Sequence, residues 1–113
     1  MKIHGIQCLK CLDVIYSVAN HDFHECSCGA CFVDAGRYDK DTNTLTTGRY
    51  GYPTKESFRE VELQDNGDIT AREYYDDWNR SLTTPRKYGV VKANTSILLE
   101  DMNQAIKQYF PGN

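Results

Sequence analysis

Long apolar runs are missing from this sequence, and so is any excess of positive charge. No apolar stretch approaches the roughly 18 residues that a membrane-crossing helix needs, so no membrane span is expected. Sixteen acidic residues outnumber thirteen basic ones, for a formal net charge of −3. That balance is poor for non-specific DNA binding, which depends on neutralising phosphates. The nucleophile-elbow, P-loop and H-E-x-x-H patterns are also absent. Histidine is scarce, with only His4, His21 and His24. No paired carboxylate near them makes a convincing acid and base, so the chain is expected not to be an enzyme. Met1-Lys2-Ile3-His4 is too short and too polar for a secretory leader. The expected location is therefore cytoplasmic, where C-x2-C pairs bind metal or do redox chemistry more often than they form structural disulfides.

What the sequence does hold is a cluster of cysteines. All five lie between Cys8 and Cys31. Cys8 and Cys11 form a C-x2-C pair, and Cys26, Cys28 and Cys31 follow. This spacing matches structural zinc sites with four cysteine ligands. Two thiolates on one turn reach the same ion, and a second pair completes a closed tetrahedron. Such a site has no open position, so it serves structure rather than catalysis. A rubredoxin-like iron site would use the same ligands. Leu12, where a glycine would ease the turn, weighs against that tight knuckle. The spacing leaves the second pair open: Cys28 and Cys31 make a C-x2-C, while Cys26 and Cys28 make a C-x-C followed by Gly29. His21 and His24 read as polar hairpin residues rather than ligands.

The run Cys8-x2-Cys11, Asp13-Val14-Ile15, His21-Asp22-Phe23, Cys26-x-Cys28-Gly29-Ala30 and Val33-Asp34-Ala35-Gly36 resembles a known family. These are small, uncharacterised zinc-ribbon-like proteins of bacteriophages and prophages of Gram-positive bacteria. The resemblance covers about the first 38 residues. It implies Cys8, Cys11, Cys26 and Cys28 as the zinc ligands, with Cys31 a small buried residue held in reserve. The chain departs from the family pattern at Leu12 and Ala35, where the family has glycine, and at Asn20, where it has arginine. The family carries no established activity.

The fold expected is α+β: an N-terminal zinc ribbon with antiparallel β-hairpins and a C-terminal amphipathic helix. Residues 1–38 form the zinc-ribbon-like module, 39–93 a β-hairpin region with a Tyr/Gly-rich loop, and 94–113 the helix, together one compact domain. Strands are expected near 1–8, 14–18, 23–26, 31–34, 44–47, 57–64 and 69–75. Val14–Val18 is expected to pair with Phe23–Cys26. Asp65-Asn66-Gly67-Asp68 is a turn. Tyr74, Tyr75 and Trp78 read as a core cluster. Leu98, Met102, Ala105, Ile106 and Tyr109 share one helical face, which can dock on the second sheet or on another copy of the chain.

Eight tyrosines, four phenylalanines and one tryptophan are many for this length, and tyrosine favours interfaces. Arg49, Tyr50 and Tyr52 in the Gly/Tyr loop, and Arg86, Lys87 and Tyr88 in the only basic stretch, are the candidate partner-binding residues. With the phage-type resemblance, these features imply a phage-encoded binding protein that modulates a host protein, as in counter-defence. The alternative is a zinc-ribbon nucleic-acid-binding or transcription accessory factor, with Lys92 and Arg80 added to the basic stretch.

Overall fold

A computed structural model describes residues 1–51, 57–64 and 69–91. The fold is α+β, mostly strand with one short helix among the described residues. Tyr52, Lys92, the Asp65–Asp68 turn and the helix expected over 94–113 lie outside them.

The first strand, β1 (Lys2–Cys8), organises the larger sheet. Along its whole length it pairs antiparallel with β8 (Phe58–Gln64), from Lys2 opposite Gln64 to Cys8 opposite Phe58. Its other edge is shared. β6 (Thr44–Thr46) runs parallel to Lys2 and Ile3, and β2 (Val14–Ile15) runs antiparallel to Ile6 and Gln7. β5 (Arg37–Asp39) extends the sheet beyond β6, and β9 (Val90–Val91) extends it beyond β2. A smaller sheet holds β3 (His24–Glu25), β4 (Phe32–Asp34) and β7 (Arg49–Gly51) in the order β3-β4-β7.

Alternation along β8 explains its placement: Val61 and Leu63 are buried, while Glu60 and Glu62 are exposed. They join Ile3, Val14, Tyr16 and Leu45 in the main core. A second cluster gathers Ile6, Ile15 and Val33 around Cys8, Cys26 and Cys31. The cysteines are thus built into a core.

Two expectations change. Val14–Val18 does not pair with Phe23–Cys26. β2 turns back on β1, while β3 pairs with β4, with His24 opposite Val33. Each cysteine pair therefore sits at the turn of its own hairpin. The second change is at 69–75, expected as a strand. The chain there enters a helix, α1 (Ala71–Arg80). The cause is an N-cap: the Thr70 hydroxyl accepts the Glu73 amide at 3.2 Å, with the Glu73 side chain close to that hydroxyl. Arg72 and Asp76 add an ion pair one turn apart, at 3.0 Å. Tyr74 is fully buried, 6.3 Å from Tyr16 and 4.7 Å from Tyr88 between ring centroids. Trp78 packs partly against this core, whereas Tyr75 stays exposed.

Leu12 and Ala35, which replace family glycines in the resemblance, both have positive φ, 64° and 57°. The backbone keeps the left-handed turn that glycine would adopt freely, and the side chain carries the strain. Ala35→Gly should therefore not destabilise the fold. Relief of about 1–2 kcal/mol of left-handed strain exceeds the roughly 0.4–1 kcal/mol lost to unfolded-chain entropy. A rise in the denaturant midpoint checks this, and a clear fall would show that the Ala35 methyl group contributes packing that outweighs the strain.

Candidate metal centre

The Sγ atoms of Cys8, Cys11, Cys26 and Cys28 all lie within 4.8 Å of one another. Cys28 Sγ is 3.6 Å from both Cys8 Sγ and Cys26 Sγ. A tetrahedral ion with metal–sulfur bonds of about 2.3 Å would set its sulfurs roughly 3.8 Å apart. A disulfide needs about 2.05 Å, and all five cysteines are free thiols. The donor set thus fits a closed four-thiolate metal site.

Local structure aims the sulfurs inward. In the first turn Leu12 N–H donates to Cys8 O at 2.9 Å, and Lys10 N–H points to Cys8 Sγ at 3.4 Å. In the second, Gly29 N–H donates to Cys26 O at 3.0 Å, and Gly29 takes a φ of 74°. Asp13 ties the two turns together. Its buried carboxylate accepts the Ser27 amide at 3.0 Å and also the Ser27 hydroxyl. Ser27 stands between Cys26 and Cys28, so Asp13 fixes the second turn relative to the first.

The thiols are electrostatically frustrated without a cation. Burial pushes Cys8 up to about 11 and Cys11 up to about 12. Burial also raises Cys26, but the Cys31 amide and the neighbouring thiols outweigh it and bring Cys26 down to about 7. The Cys26 thiolate is easily formed, while Cys8 and Cys11 resist. A divalent cation removes that resistance, because it binds the deprotonated form of each.

Cys31 lies outside this group of four. It is buried in the adjoining core, its thiol directed at Ser57 O at 3.5 Å. His24 is also not a member: its ring nitrogens lie 3.0 Å from Asp22 Oδ1 and 3.1 Å from Gly89 O. His21 is exposed.

The residues expected to meet a partner are mostly engaged within the chain. Arg49 pairs with Asp34. The Tyr50 hydroxyl bonds Glu60, and its ring packs on His4 and Phe58. Arg86 makes a forked pair with buried Asp22. Tyr88 is buried, and its amide donates to Asp77 at 3.0 Å. Lys87 keeps an exposed side chain while its amide bonds the same carboxylate, also at 3.0 Å. The sequence pattern missed three buried aspartates, Asp13, Asp22 and Asp77, each of which holds a separate loop. Asp13 and Asp22 each stand two residues from a cysteine or histidine, which was the available signal.

The fold and the cysteine group define a small α+β protein with a candidate four-thiolate metal centre. Residues 2–41 match the family model described as Domain of unknown function (DUF7695), which spans both cysteine pairs and about a third of the chain. No curated protein and no solved structure matches the chain.

Proposed function

We propose that this chain is a non-enzymatic binding protein whose four cysteines hold a structural zinc ion. The observation that carries the reading is the closure of the cysteine group. Four thiolates complete a tetrahedron and leave no coordination position for a substrate, so the ion acts as a staple between two hairpins. Zinc suits this donor set and has no redox chemistry; elemental analysis of the purified protein distinguishes it from iron. The resemblance to phage and prophage zinc-ribbon-like proteins supports a partner in the bacterial host, with the protein altering that partner's activity, as in counter-defence. The acidic balance favours a protein partner over nucleic acid.

The test is a pull-down of the tagged protein from bacterial lysate, with and without nuclease, read by mass spectrometry. One host protein retained at near-equal amounts after nuclease supports this reading. Material lost on nuclease treatment sinks it in favour of a nucleic-acid-binding ribbon.

A further inference from the structure

We infer that the outer face of the three-stranded sheet docks a basic polypeptide segment, an arginine or lysine side chain lying on the Phe23 ring with its charge against Glu25. This names the partner's chemistry and rests on the binding reading above. Glu25 stands directly across from Phe32 in the β3–β4 register. Phe23 stacks on Phe32 with ring centroids 5.5 Å apart and planes 28° apart. The three side chains therefore share one face. Phe23 is 57% exposed, so much of its ring face is available to a ligand.

Among the described residues, the charged side chains beside this pair leave it acidic. Gly51 lies opposite Phe32 on β7 and supplies no side chain there; an added Cβ would meet the Phe32 ring at 3.4 Å. Arg49 already neutralises Asp34 on the adjoining row. Glu25 is exposed and forms no ion pair among the described residues. An exposed aromatic face beside an unneutralised carboxylate attracts a cation twice, through the ring quadrupole and through charge. A phosphate backbone meets repulsion at the same place.

The experiment is an NMR titration of the metal-loaded protein with a capped Gly-Arg-Gly-Arg-Gly peptide, its alanine counterpart and a short oligothymidylate. The arginine peptide should move the Phe23 and Phe32 ring signals and the Glu25 amide. Phe23→Ala should weaken it about three- to fivefold, with melting temperature and metal content unchanged. Glu25→Gln should weaken it too and flatten its salt dependence. Shifts mapping elsewhere, undiminished binding by Phe23→Ala, or equal shifts with oligothymidylate would overturn the proposal. In the pull-down, equal retention of the captured protein by Phe23→Ala overturns this face alone and leaves the binding reading standing. A parent protein that retains nothing overturns the binding reading, and this proposal with it.

Discussion

Replacing Cys8 with serine should abolish stoichiometric metal binding and cooperative folding of the N-terminal half. Cys8 Sγ is fully buried at the end of β1 and touches both the metal group and the second core cluster. Structural zinc contributes apparent binding energies of about 10–16 kcal/mol in small domains. A domain of this size has only about 5–15 kcal/mol of net stability. Losing one ligand of four therefore removes enough to unfold the region that the site holds. The same loss should follow a strong chelator, and it should be steeper at acid pH because protons compete for the thiolates. Cys31→Ser is the matching control. It lies outside the sulfur group, so metal content should be kept and stability should fall only modestly. Metal analysis with thermal melts reads both variants. A Cys8→Ser protein with full metal and an unchanged melt would remove Cys8 from the site; heavy metal loss in Cys31→Ser would make Cys31 the ligand.

Acid should expose the second large effect, at Asp22. Its carboxylate is almost wholly buried and accepts from Val18 N–H at 2.9 Å, from His24 and from both terminal nitrogens of Arg86. Burial by itself raises its pKa, but His24, Arg86 and the Val18 amide outweigh this and hold it at about 2, against an ordinary 3.8. The folded state thus binds its proton more weakly than the unfolded chain. The resulting stabilisation, about 2 kcal/mol, is fully present above about pH 5 and is lost as pH falls towards 2. Asp22→Asn removes it and leaves the half-buried Arg86 charge unmatched, which costs about 3–5 kcal/mol near neutrality. Denaturant melts across pH should show the parent and Asp22→Asn curves far apart at pH 7 and converging towards pH 2. Parallel curves would mean that Asp22 does not carry the acid dependence.

This aspartate also links chemistry to topology. Arg86 reaches it across 64 residues of sequence, and His24 spans from it to Gly89 O. Together they fasten the turn before β3 to the segment that leads into β9. The Arg86 guanidinium fills the space over Gly89, where an added Cβ would lie 2.6 Å from it. Gly89 also has a φ of 104°, a conformation only glycine takes readily. Arg86, one of the basic residues read as a partner contact, is thus engaged in holding the fold.

How much was legible in advance follows the range of each interaction. Cysteine spacing, the alternation of Phe58–Gln64 and the α+β class depend on neighbours in sequence, so the residues alone determined them. The N-cap at Thr70 was equally local, but the β-rich Ile69–Tyr75 run obscured it. Tertiary structure alone decided which hairpin each cysteine pair closes, because β2 and β3 are adjacent in sequence yet join different sheets. It also decided which side chains remain for a partner. Arg49, Tyr50 and Arg86 look available in sequence because their acceptors, Asp34, Glu60 and Asp22, lie 10 to 64 residues away. Of these only the Asp22–Arg86 pair is largely buried; the Arg49 and Glu60 side chains stay exposed while making their contacts. Phe23, which hydrophobicity alone would send to the core, is left exposed and stacks on Phe32 instead.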